Sequence, residues 1–191
     1  CADHLLALPG DAYLPCWVQS TFAGVEPLVA AVRSIADRSP ASLPVISRVG
    51  GVFGRPIAEY CMLAVLAAHR RSRELRAAQC LKVWNSDLVP AQPTLKGQVL
   101  GVLGCGSIGA EVLRMARDSF EMQSWGFRFT DIACPSATRT FTCLDSEGVG
   151  TTLGQFLAGV DYIVNTLPST AETKGLLSGA AVWEKCKPGA V

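Results

Sequence analysis

The chain has 191 residues and a formal net charge of +1, with 49% hydrophobic and 17% charged residues. That balance is globular and excludes a disordered chain. So weak a net field gives no reason to expect nucleic acid or an anionic membrane as a partner.

The runs "DHLLAL" and "CWVQS" are short, apolar and bounded by turn signals, which predicts buried strands. "VEPLVAAVRSIAD" has helical spacing, with Val25, Leu28, Val29 and Val32 on one side. "LPVISR" predicts another strand, followed by the turn cluster "VGGVFG". One long helix is expected from near Pro56, whose missing N–H is harmless in a first turn. It runs through "IAEYCMLAVLAAHRRSRELRAA". Its first half is apolar on all sides, which predicts burial between two layers or domains; its second half is basic and solvated. The apolar stretch Cys61 to Ala68 is too short to span a bilayer. "SDLVPAQPTLKG" reads as a linker.

From Gln98 onward strands and helices alternate: "QVLGVL", a glycine turn, "SIGAEVLRMARDSF", "EMQSWGF", a loop with a short strand "RTFTC", "TTLGQFLAGV" and "DYIVNTL". A helix start follows, where Ser169 and Glu172 have capping-box spacing. "PGAV" opens one more strand. This alternation predicts an α/β fold with a doubly wound parallel sheet and helices on both faces.

The eight cysteines form no C-x-x-C pair, so neither zinc nor an iron–sulfur cluster is expected. Cys61 lies in an apolar helical run and Cys105 in a glycine turn. These places suit reduced thiols in a cytosol-like compartment, and the localisation expected is cytoplasmic.

Gly104, Gly106 and Gly109 form G-x-G-x-x-G directly after a strand and at a helix start. Gly104 permits the tight turn, Gly106 lets a pyrophosphate approach the backbone, and Gly109 lets the helix pack on the sheet. The helix N-terminus offers free N–H groups and a positive dipole end to phosphates. A turn that binds nothing and a methyl-donor nucleotide fold are the competing readings. The nucleotide is chosen at the next strand's end, where an acid would hold a ribose hydroxyl and an Arg a 2′-phosphate. Arg128 stands there, 19 positions past Gly109, with Asp131 just beyond. A guanidinium fits a phosphate, so NADPH is favoured over NADH; an Asp131 that swings back is the rival.

These motifs resemble the D-isomer-specific 2-hydroxyacid dehydrogenases, glyoxylate/hydroxypyruvate reductase branch. The resemblance rests on "WVQSTFAGVEPLV", "SRVGGVFGRPIAEYCML", "LKGQVLGVLGCGSIGAEVLRMA", "LAGVDYIVNTLPSTAETKGLL" and "KPGAV", which together cover the chain from about residue 12 onward. It implies a partial flavodoxin-like substrate domain over 1–53, an interdomain helix and linker over 54–95, and a Rossmann-like NAD(P)-binding domain over 96–191, incomplete at its C-terminal end. Gly104, Gly106, Ser107, Ile108 and Gly109 match the pyrophosphate turn, and Arg128 the cofactor-choosing position. Leu167, Pro168 and Thr173 match positions on the adenosine side. Ala23 and Gly24 match the loop whose N–H groups hold the substrate carboxylate, and Arg48 adds charge there unless it is a plain surface Arg.

The resemblance further implies hydride transfer from NADPH to a small 2-oxo acid, glyoxylate- or hydroxypyruvate-like, in a protein that dimerises when full length. The family's catalytic Arg, acid and His are expected past Val191, so no catalytic residue is assigned here, and the chain reads as a fragment. A catalytically silent dinucleotide-binding module is the alternative. Phe22 is read as core, with a pocket wall as the rival role; Glu59 as a dipole-favouring first-turn acid; His69 as structural. His4 falls in no matching context.

Overall fold

The computed structural model describes residues 15–36, 43–88, 94–143 and 149–191. The strand expected at "DHLLAL", with His4, lies outside those residues, as does the middle of the linker. The chain divides into two compact units, Cys1–Val52 and Phe53–Val191.

In the N-terminal unit β1 (Trp17–Ser20) and β2 (Val45–Arg48) pair in parallel, with Trp17 opposite Val45 and Ser20 opposite Arg48. Parallel neighbours need a crossover, and α1 (Glu26–Ala36) supplies it. Leu28, Ala31 and Ile35 recur at helical spacing and are buried, and Val18 and Ile46 pack against Leu28 and Ile35.

The C-terminal unit begins with α2 (Gly54–His69) and α3 (Ser72–Cys80). Its sheet follows: β3 (Val99–Leu103), β4 (Gln123–Arg128), β5 (Arg139–Thr142) and β6 (Tyr162–Asn165), with α4 (Ser107–Phe120) after β3 and α5 (Val149–Gly159) after β5. All pairs are parallel, in the order β5-β4-β3-β6. The chain steps outward from β3 to β5 and then returns to the other side of β3. The order therefore reverses between β3 and β6, and their carboxyl ends form the crevice where α/β sheets bind ligands.

Side chains of β3 alternate between two cores. Leu100 and Val102 pack with Ala58, Met62 and Val65 of α2 and Val112, Leu113 and Ala116 of α4. Leu103 faces the other way, onto Leu153, Phe156 and Leu157 of α5 and onto Phe127 and Phe141. Full burial of one such Phe contributes roughly 1.5–3 kcal/mol. "PGAV" takes the next sheet position: Val191 O accepts from Ile163 N at 2.8 Å and Val191 N donates to Asp161 O at 3.0 Å, the alternation of a parallel ladder.

Three expectations are corrected. The long helix is two helices, broken at Arg71, whose φ is +49°. A left-handed non-glycine residue costs on the order of 1–2 kcal/mol. The break persists because α3 buries no residue that would hold it in line with α2, and Ser72 Oγ donates back to Ala67 O at 3.0 Å. Nor is the first half of α2 buried all round. It buries the stripe Gly54, Ala58, Met62 and Val65, while Tyr60 and Leu63 are exposed, because α4 covers one side only. Finally, no α-helix starts at Ser169. Residues 171–177 run as turns. Thr173 Oγ1 donates to Pro168 O, Thr170 N donates to Thr173 Oγ1 at 2.9 Å, and the Glu172 carboxyl turns to Thr170, which holds it below the usual carboxylate range. The hydroxyl of Thr173 thus organises the segment in place of a Ser169–Glu172 box.

Candidate functional site

The crevice at the end of β3 is built by the three glycines of the turn. Gly104 has φ +93°, and a Cβ there would lie 2.9 Å from the Thr166 carbonyl. A Cβ on Gly109 would lie 2.1 Å from Gly104 O and 2.9 Å from Val102 Cγ1. Both glycines exist for close backbone approach. Gly106 differs: it is exposed, and nothing stands within 4 Å of where its Cβ would be. That open face is the approach path a bulky anion needs.

Gly106 is the extended N-cap of α4, and no side chain caps the helix. The N–H groups of Ser107, Ile108 and Gly109 have no acceptor inside the helix and lie at its positive end. Ser107 is exposed, Ile108 half-buried and Gly109 buried. Farther along the helix, Arg114 holds Glu111 at 2.6 Å and, with Arg55, keeps its carboxyl below the usual range, which offsets the acid nearest the turn. The donors and the open glycine fit a dinucleotide pyrophosphate.

Thr166 was not singled out by the sequence, yet it braces the turn. Its Oγ1 donates to Gly104 O at 2.7 Å, and its N–H donates to Leu103 O at 2.8 Å. Its place at the end of β6, just ahead of Leu167, was the available signal.

Arg128 ends β4, one strand over. Its Nη1 donates to Ile132 O, while its Nε is buried without a hydrogen-bond partner. A buried donor left unpaired calls for an acceptor, and a phosphate oxygen is one. Asp131 is exposed on the same loop. Leu167, Pro168 and Thr173 come together with Asn165 around a cavity of about 380 Å³; Leu167 N donates to Asn165 Oδ1 at 3.1 Å.

Within the N-terminal unit Arg48 Nη1 donates to Ala23 O at 2.8 Å, so the cation is held on the Ala23–Gly24 loop. Glu26 competes with it there, since its Oε2 is 3.0 Å from the Cβ position of Gly24. Phe22 is 74% exposed, which corrects its reading as core: Ser20 Oγ takes its N–H at 3.2 Å and turns the loop outward. Glu59 pairs with Arg55 at 2.8 Å on the surface. His69 Nδ1 is 2.8 Å from Tyr162 OH, which ties the end of α2 to the start of β6, away from the glycine turn.

Among the described residues no helix is long and apolar enough to cross a membrane. Residues 62–191 match the family model described as "D-isomer specific 2-hydroxyacid dehydrogenase, NAD binding domain". A glyoxylate/hydroxypyruvate reductase A of Klebsiella pneumoniae (strain 342) is 27% identical over 158 residues, which are 82% of this chain and 46% of the relative. The crystal structure of a D-isomer specific 2-hydroxyacid dehydrogenase from Xanthobacter autotrophicus Py2, in complex with NADPH and MES, superposes with a TM-score of 0.71 at 26% identity, covering 91% of this chain and 50% of that one. A glyoxylate reductase from Paecilomyes thermophila shares the fold with a TM-score of 0.74 at 21% identity, covering 99% of this chain and 52% of that one. The chain spans about half the length of the curated relatives it matches. With its parallel sheet, glycine turn and this match, the chain belongs to the D-isomer specific 2-hydroxyacid dehydrogenase family and carries that family's NAD-binding domain.

Proposed function

We propose that this chain holds NADPH for a reductase of small 2-oxo acids of the glyoxylate or hydroxypyruvate kind. The observation that carries the reading is the pairing of an open Gly106 and uncapped α4 at the end of β3 with Arg128 at the end of β4. When bound, the dinucleotide supplies the hydride; the chain's own residues bind and orient. The N–H groups of Ser107, Ile108 and Gly109 hold the bridged phosphates, with Gly104 and Gly109 keeping the turn tight enough to aim them. Arg128 takes the 2′-phosphate, exchanging the Ile132 carbonyl for a charged acceptor. Leu167, Pro168 and Thr173 line the adenosine side. In the N-terminal unit, backbone N–H groups of Ala23 and Gly24 take the substrate carboxylate, and Arg48 adds positive charge. No residue of this chain is assigned the proton transfer. The names of the relatives support the substrate class, and the NADPH complex from Xanthobacter supports the cofactor.

The whole protein is proposed to be a homodimer in the cytoplasm. Exposed Leu81, Val83 and Trp84 beside α3 form an apolar patch that suits a partner surface, and free thiols such as Cys16, Cys61 and Cys80 suit a reducing compartment.

A titration followed by nicotinamide fluorescence tests the cofactor. NADPH is expected to bind roughly ten-fold or more tighter than NADH, the worth of a charge-assisted contact. Equal affinities would overturn the assignment of Arg128.

A further inference from the structure

β4 and β5 run in parallel, with Trp125 opposite Arg139 and Arg128 opposite Thr142. After Arg128 the chain must therefore travel back along β4 before β5 can begin. From Arg128 to the level of Ser124 that is roughly 13 Å of strand. Such crossovers usually take about a dozen residues or more and contain a helix. Here residues 129–138 make the return without one. So short a connection has little slack, and where it lands fixes how it runs.

It lands on Ser124, which is fully buried. Ser124 and Thr138 stand one step before the first ladder pair, Trp125 with Arg139. Thr138 N donates to Ser124 O at 2.6 Å, and Thr138 Oγ1 donates to the same carbonyl at 2.9 Å. Ser124 N donates to Thr138 Oγ1 at 3.1 Å. Ser124 Oγ donates to Ser136 O at 2.9 Å and takes the Thr138 N–H at 3.1 Å. The helix α4 adds a second hold. Arg117 Nη1 donates to Pro135 O at 2.9 Å, and Cys134 is buried in the core cluster that includes Leu113, Met115 and Ala116 of the same helix. Residues 134–138 are thus fastened to both β4 and α4.

The first half of the crossover carries the acceptor of Arg128. Arg128 Nη1 donates to Ile132 O, two residues before Cys134, while Nε is buried without a hydrogen-bond partner. The Ile132 carbonyl therefore holds the guanidinium in place before any phosphate arrives, and one donor is kept dry. A side chain already ordered loses less freedom on meeting its ligand.

We infer that Ser124, Thr138 and Arg117 are positioning residues for the choice of dinucleotide: by fastening the crossover they hold Arg128 where a 2′-phosphate would meet it. The inference rests on the reading of Arg128 as the phosphate reader. NADPH carries that phosphate and NADH does not, so slack in the crossover weakens NADPH alone. The glycine turn is braced separately, by Thr166 at the end of β6, and keeps its hold on the bridged phosphates.

The test titrates Ser124→Ala, Thr138→Val and Arg117→Met with NADPH and with NADH, followed by nicotinamide fluorescence, after chemical denaturation has confirmed that each is folded. NADPH affinity should fall about two- to ten-fold in each, the cost of ordering one long side chain on binding, with NADH affinity unchanged. In an Arg128→Met background the same substitutions should change neither affinity, because the group they position is gone. Equal weakening of both dinucleotides, an unmoved preference for NADPH, or the same loss in the Arg128→Met background would overturn the inference. Should Ser124→Ala or Thr138→Val fail to fold, Arg117→Met decides, since that side chain is partly exposed. Equal affinities of the unsubstituted chain for the two dinucleotides would instead sink the reading of Arg128 itself, and this inference with it.

Discussion

Thr166 Oγ1 donates to the Gly104 carbonyl at 2.7 Å, and this one bond ties the tip of β6 to the glycine turn at the end of β3. The crevice where the strand order reverses is thereby closed at its base and left open at Gly106.

Gly109→Ala should damage both stability and binding. The new methyl would meet Gly104 O and Val102 Cγ1, neither of which moves without shifting β3. Overpacking of this kind costs about 1–3 kcal/mol. Urea denaturation should show the loss in midpoint at an unchanged slope, and NADPH titration a weaker affinity. Gly106→Ala meets nothing and should leave the denaturation midpoint nearly unchanged while weakening NADPH.

Arg128→Asp should move preference toward NADH. It removes a charged donor from a 2′-phosphate and offers an acceptor to a ribose hydroxyl. NADPH affinity should fall roughly ten-fold or more, with a shallower dependence on salt. Paired fluorescence titrations with both dinucleotides at low and high salt would check this, and unchanged NADPH affinity would remove Arg128 from the site.

Some of this was legible in the sequence. The apolar run meeting G-x-G-x-x-G specified β3, the turn and α4, because each glycine there answers a local steric demand. The position of Arg128 at the end of β4 followed from spacing. The break at Arg71 was not legible, since no Gly or Pro marks it and only the absence of packing under α3 permits it. Ser169 and Glu172 had the right spacing for a cap, yet Thr173 captured the Pro168 carbonyl and made turns instead.

The His69–Tyr162 pair should be structural. Burial, then the nearby Asp161, pushes the Tyr162 hydroxyl above its ordinary range. Tyr162→Phe should cost about 0.5–1.5 kcal/mol in chemical denaturation, the net worth of the one hydrogen bond it removes. Double-mutant cycles with His69→Phe should then show non-additivity. NADPH affinity should not change, because the pair lies away from the turn.

Stability should decline in alkali. Tyr162 and Cys105 both have folded values raised above their unfolded ones. For such groups the unfolded state loses its proton first, so their contribution is complete below the unfolded values of 9.0 for Cys105 and 10.0 for Tyr162. It is lost as pH rises through the folded ones. Denaturation midpoints should therefore hold steady from neutrality to about pH 9 and fall above it. Burial raises the Cys61 thiol from 9.0 as well, so Cys105→Ser should make the fall shallower without moving its onset.

Amide NMR of the labelled chain reads the central claim directly. On addition of NADPH, the N–H signals of Ser107, Ile108 and Gly109 should move furthest and saturate together with the side-chain signal of Arg128. Saturable binding whose largest shifts lie elsewhere, with those three amides unmoved, would contradict the account.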